Sequence, residues 1–115
     1  MQKYLTPLGL LLLWTSTAAI AQSKRIPRHK VLIENATNYL VTVDLILDRR
    51  VVFLKLAPHQ KRYHILHKLD TKEIGNWWAR VRTKNHQEYR FLKGKNHYVV
   101  YFDKKREKWK IYRKR

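Results

Sequence analysis

Cysteine is absent from this chain of 115 residues, and glycine and serine are scarce. Without cysteine there is no disulfide framework, no Cys-ligated zinc or iron–sulfur site, no thiol nucleophile and no lipid-modified cysteine. Beyond residue 21 the glycines are Gly75 and Gly94, too few for a phosphate-cradling loop or a dinucleotide-binding turn. The serine that remains there, Ser23, lies close to an expected chain end. These absences predict a protein that is not an enzyme and uses no nucleotide or other cofactor.

Long apolar runs are also lacking, since a spanning helix needs about 20 such residues. The longest run, residues 8–14, follows Lys3 and precedes small residues that end at Ala19-Ile20-Ala21. A cationic start, a short apolar centre and an A-x-A end are typical of a signal peptide. The sequence therefore predicts cleavage after Ala21 and an exported protein, periplasmic in a bacterium and secreted otherwise. An uncleaved membrane anchor is the alternative.

Acidic residues are few: 8 Asp and Glu stand against 26 Lys and Arg, a formal net charge of +18. One of those cations, Lys3, lies in the predicted signal peptide, so nearly all of the excess belongs to the mature chain. An apolar content of 44% with 12% aromatic residues nevertheless indicates a folded domain rather than a disordered polycation. We assign residues 1–21 to a cleaved signal peptide, 22–29 to a flexible N-terminal segment and 30–115 to a single basic β-domain.

Apolar residues in the mature chain recur with period two, which is typical of half-buried strands. Turn residues separate these runs at spacings of about 8 to 12 residues, and residues 68–76, which lack alternation, are predicted to be the longest loop. The predicted strands are residues 31–35, 39–48, 51–56, 62–67, 77–84, 89–92, 97–102 and 108–112.

Seven or eight short strands with little helix predict an all-β fold. We expect an antiparallel β-sandwich of immunoglobulin-like or transthyretin-like kind, with a small closed β-barrel as the alternative. Alternation places Trp77 in the core and Trp78 on the outside of the fifth strand. It does not determine the order of the strands.

Cationic and aromatic residues share the outward faces of two predicted strands. Such stripes can neutralise regularly spaced anions, and a neighbouring ring can stack on a base or sugar. Charge of this kind also serves solubility, so the alternative is a solvated face without a ligand. The predicted anion-binding residues are Trp78, Arg80, Arg82 and Lys84 on the fifth strand and, beside Tyr112, Lys108, Lys110 and Lys114 on the last.

Two short motifs are weaker. His64 and His67 form an H-x-x-H pair, but residues three apart on a strand point to opposite faces, so we predict no metal site unless the segment bends. Asn35-Ala36-Thr37 matches the N-glycosylation pattern, yet an Asx-type turn between two strands is the favoured interpretation.

Together these observations favour a small exported binding domain for polyanions: an envelope glycolipid, an acidic polysaccharide, an anionic membrane surface or nucleic acid. The alternative is a structural or accessory envelope protein that pairs with another protein through a sheet edge.

Overall fold

The computed structural model describes residues 25–83 and 86–115. Within these ranges the chain forms eight β-strands and no helix, and hence no helix that could cross a membrane. The predicted all-β class is therefore confirmed. The strands are β1 (Lys30–Asn35), β2 (Val41–Leu47), β3 (Arg50–Leu56), β4 (Lys61–Ile65), β5 (Trp77–Thr83), β6 (His86–Phe91), β7 (His97–Asp103) and β8 (Lys108–Lys114).

These strands form two four-stranded sheets. Sheet 1 has the order β4-β1-β7-β8, and sheet 2 has the order β3-β2-β5-β6. Neighbouring strands are antiparallel except β1 and β7, which pair in parallel with Ile33 opposite Tyr98. Two separate sheets packed face to face are a sandwich, so the barrel alternative does not apply to the described residues.

The core lies between the sheets and follows from the period-two pattern. β2 shows this most clearly, because Val41, Val43, Leu45 and Leu47 are all buried. Trp77 is 3% exposed whereas Trp78 is 43% exposed, as alternation predicted. Burying one large apolar side chain stabilises the fold by roughly 1.5–3 kcal/mol. Because the domain has no disulfides, these buried side chains supply much of its stability.

Asn35 is fully buried at the end of β1, and its side chain organises the β1–β2 loop. Its Nδ2 donates to the carbonyls of Tyr39 at 2.6 Å, Leu56 at 3.1 Å and Ala57 at 3.1 Å. Its Oδ1 accepts from the amide of Thr37 at 2.9 Å and from the Thr37 hydroxyl at 2.7 Å. The expected Asx-type turn is present, and β2 begins two residues later than predicted because this network holds the loop. A glycan on Nδ2 is incompatible with this buried arrangement.

The N-terminal segment joins the domain earlier than residue 30. The carbonyl of His29 accepts the amide of Leu66 at 2.8 Å, and the His29 ring stacks on His67 with centroids 5.0 Å apart. His29, which we assigned to the flexible segment 22–29, is therefore tied to the chain that follows β4. Residues 22–24 lie outside the described residues.

The edges of the two sheets meet along one side of the sandwich, where β6 faces β8. Arg90 of β6 donates from Nε and Nη2 to the carbonyl of Ile111 in β8, at 3.3 and 3.1 Å. This contact joins strands from different sheets, and it places the surfaces of residues 89–93 and 112–115 beside each other.

Candidate anion-binding site

The first predicted stripe lies on the outer face of sheet 2. Trp78 and Arg82 are exposed there, and Arg80 lies between them on β5. The alternation of these side chains is therefore as predicted. Lys84, the fourth member, falls outside the described residues.

The two arginines of this stripe are held by a carboxylate. Asp44 of β2 is 2% exposed, and its Oδ2 receives Arg80 Nε and Nη2 at 2.8 Å each and Arg82 Nε at 2.9 Å. Hydrogen bonds with Tyr89 and with Asp44 raise the pKa of Arg80. Arg80 and Arg82 therefore share one carboxylate, which offsets one of their two charges, and their binding of an external anion stays a prediction.

The second predicted stripe lies on the opposite side of the molecule. Lys108, Lys110 and Lys114 alternate with buried Ile111 on β8, so they face outward from sheet 1. The stripe that contains Trp78 faces outward from sheet 2. The lysines of this stripe and the arginines of the first stripe therefore lie on the outer faces of different sheets, whereas Tyr112 and Trp78 line one cavity where the sheet edges meet.

A different surface collects cations at the meeting edges of β6 and β8. This surface, which we call the basic groove, is an open cavity of 610 Å³. None of its lining residues is acidic. In the described part of the chain, none of its cations has a carboxylate oxygen within 4.0 Å. The groove cations are Arg90, Lys93, Arg113 and Arg115.

Aromatic rings form the other part of the groove lining. Trp78 and Phe91 contact each other edge to face, with centroids 5.3 Å apart. Tyr89 is 50% exposed and Tyr112 is 42% exposed, so their rings are available to a ligand. Arg80 lies over the Tyr89 ring at 6.0 Å. Of the predicted anion-binding residues that the structure describes, Trp78 is the one that lines this groove.

Buried contacts hold the groove in shape. The Tyr98 hydroxyl accepts the amide of Lys93 at 2.8 Å and donates to the carbonyl of Phe91 at 3.2 Å. Tyr98 itself is 2% exposed, so the chain that carries Lys93 is anchored in the core. Together with the bond from Arg90 to Ile111, this fixes both walls of the groove.

Sequence reasoning missed the groove cations because they come from different sheets. The predicted last strand ends at residue 112, so Arg113 is assigned to no face. In the structure β8 continues to Lys114, and Arg113 points inward like Ile111. At the end of an edge strand, an inward-facing side chain has no opposing strand to cover it, and Arg113 is exposed there. The sequence shows cations clustered after residue 89 and in the last residues of the chain. It does not show that these two clusters lie side by side in the fold.

The histidines of the H-x-x-H pair have separate environments. His64 packs edge to face on Trp77 with centroids 4.4 Å apart, whereas His67 stacks on His29. Among residues 25–83 and 86–115 no group of three or more His, Asp and Glu side chains is placed to hold a metal ion.

The position of His64 predicts a pH dependence of stability. Burial lowers the pKa of His64 from 6.5 to about 4. Between these values the unfolded chain binds a proton that the folded chain does not, so stability should fall as the pH drops from 6.5 to 4. Without solvent screening, a pKa shift of this size would lower the free energy of unfolding by roughly 3 kcal/mol. Because His64 is partly exposed, we expect a loss of about 1–2 kcal/mol. Urea unfolding across this pH range measures the slope.

His64→Phe should flatten that slope, because phenylalanine keeps the contact with Trp77 and cannot titrate. His97→Gln is the comparison variant. Burial also lowers the pKa of His97, but Glu34 opposes the shift. This variant should therefore reduce the pH dependence of stability by less than His64→Phe does. An unchanged slope in His64→Phe would contradict the assignment.

Comparisons with protein-family models, with curated proteins and with solved structures found no match.

Proposed function

We propose that this protein is an exported, non-enzymatic domain that binds polyanions through the basic groove. The observation that carries the proposal is the joint presence of four cations without carboxylate partners and of exposed aromatic rings in one cavity. The predicted signal peptide, residues 1–21, lies outside the described residues and supplies the export part of the proposal. No catalytic step is assigned.

The groove suits a chain-like anion. A guanidinium binds a phosphate, sulfate or carboxylate through two parallel hydrogen bonds, and Arg113 and Arg115 provide this chemistry at the free end of β8. Ring faces add stacking on bases or sugars. Because the cavity is concave, it fits a strand or chain end better than a flat bilayer surface.

The test is an equilibrium titration with fluorescein-labelled heparin at several salt concentrations. The triple variant K93A/R113A/R115A should bind more weakly than the wild type. The slope of log K against log salt should fall by about two to three, roughly one for each lost contact. Arg90 is left unchanged because it bonds to the backbone of β8.

The matched control is R49A/R50A/K55A, which removes the same charge from exposed positions at the β3 edge of sheet 2, the edge opposite β6. We expect a clearly smaller loss of affinity for this variant, because long-range attraction is screened beyond about 8–10 Å. Equal losses in the two triple variants would show that binding follows net charge and would refute a dedicated groove.

Edge pairing with a second protein is the other candidate function, and β3 favours it. This strand is an edge of sheet 2 and exposes Val51, Val52 and Phe53 at 40%, 44% and 61%. Exposed apolar edge strands are templates for pairing with another chain. A partner bound in this way should stay bound at high salt, and its affinity should be the same for the wild type and for the groove variants. The same salt series therefore separates the two functions.

A further inference from the structure

A second cavity lies at one end of the sandwich. It measures 520 Å³, and we call it the loop cup. The loop between β1 and β2, the turn between β3 and β4 and the hairpin between β7 and β8 form its walls. Among residues 25–83 and 86–115, none that we predicted to bind anions lines it.

Aromatic rings at steep angles to one another line the cup. Trp109 contacts Tyr39 with an interplanar angle of 81° and Phe102 with an interplanar angle of 68°. Rings that meet edge to face form a corner rather than a closed stack, so ring faces remain available to a ligand. Tyr39 is 65% exposed at the rim.

The rim also carries polar groups on rigid loops. His59 Nε2 lies 2.7 Å from Asn38 Oδ1, and Lys104 supplies a cation. The buried Asn35 side chain holds the carbonyl of Tyr39 at 2.6 Å, which positions the rim before any ligand arrives. An apolar cavity with a few placed polar groups is the usual form of a small-ligand site.

The loop cup and the basic groove lie along the same strand. Trp109 lines the cup and Arg113 lines the groove, and these positions are four residues apart on β8, about 13 Å. Between them Tyr101 of the cup contacts Tyr112 of the groove, with centroids 5.2 Å apart. The aromatic lining is therefore continuous from one cavity to the other.

We propose that the loop cup binds a sugar ring and that cup and groove together bind a linear acidic polysaccharide along β8. The inference rests on the proposed function and names its ligand. Ring faces suit the apolar face of a sugar, and Asn38 and His59 suit its hydroxyl groups.

Calorimetric titration with a galacturonate series, from disaccharide to octasaccharide at fixed salt, tests the inference. Affinity should rise steeply once the chain is long enough to reach the cup. Tyr39→Ala should weaken octasaccharide binding about ten-fold, the usual effect of losing one stacking ring, and leave disaccharide binding unchanged.

The matched control is Leu40→Ala. Leu40 is 67% exposed beside Tyr39 but does not line the cup, so its replacement should leave every affinity unchanged. Thermal unfolding of both variants establishes that the fold is intact. If Tyr39→Ala has no effect while K93A/R113A/R115A abolishes binding, the cup inference is wrong and the groove function stands.

Two other outcomes would contradict the polysaccharide as ligand or the groove function itself. If single-stranded DNA of matched charge binds more tightly and shows the same dependence on Tyr39, the ligand is a nucleic acid rather than a polysaccharide. If K93A/R113A/R115A binds every chain length with the affinity of the wild type, the proposed groove function and the inference are both wrong.

Discussion

Replacing Asn35 with alanine is expected to lower the free energy of unfolding by about 3–5 kcal/mol, since a hydrogen bond contributes about 0.5–1.5 kcal/mol and a buried group left unpaired costs more. One buried side chain makes five such bonds, to the backbone of Tyr39, Leu56 and Ala57 and twice to Thr37. Natural domains have free energies of unfolding of about 5–15 kcal/mol, so this variant should lose a large part of its stability. Urea denaturation followed by tryptophan fluorescence measures the change.

Two further variants locate the origin of the effect. Asn35→Asp keeps the acceptor for Thr37 but loses the donor to three carbonyls. It should therefore recover only a small part of the stability that Asn35→Ala loses. Asn38→Ala removes an exposed amide that contacts His59, and it should change stability by less than about 1 kcal/mol. A loss below about 1 kcal/mol in Asn35→Ala would contradict the role assigned to this network.

The fold was predictable because burial on one face of a strand is a local pattern. The alternation in β2 and β5 placed Val43, Leu45 and Trp77 inside and Trp78 outside without knowledge of neighbouring strands. The sandwich then followed from the number and spacing of the strands. The parallel pairing of β1 with β7 was not predictable, because it joins segments far apart in the sequence.

The candidate site was predictable in part, for the same reason. Alternation correctly placed Arg80 on an outward face, but whether that arginine is free depends on the residue beside it on the next strand. The register of β2 with β5 sets Asp44 opposite Arg80, and no periodicity within either strand reveals this pairing.

The groove depends on tertiary structure even more strongly. Arg90 and Arg113 belong to strands of different sheets, and they become neighbours because two sheet edges meet. The net charge indicated an anionic partner, but charge alone does not locate a site. Only the contact between β6 and β8 shows which of the many cations can act together.

Gly94→Ala should be the second large loss of stability, and it should also weaken the groove. A Cβ at position 94 would lie 1.8 Å from the carbonyl oxygen of Arg28, a backbone atom that no side-chain rotation can move aside. Relief requires the β6–β7 loop to separate from the N-terminal segment, which breaks the bond from the Lys95 amide to the Lys30 carbonyl. Overpacking and lost bonds together predict about 3–5 kcal/mol in urea denaturation.

Gly75→Ala is the control that separates backbone from side-chain crowding. Its added Cβ would meet Leu47 Cδ1 at 2.7 Å, the far end of a flexible side chain, so we expect about 1–2 kcal/mol. Lys93 precedes Gly94 and lines the groove, so Gly94→Ala should lower heparin affinity under conditions where the variant is still folded. Gly75→Ala should leave that affinity unchanged. Equal stability losses in the two variants would mean that the loop yields without moving the backbone, and Lys93 would then keep its place in the groove.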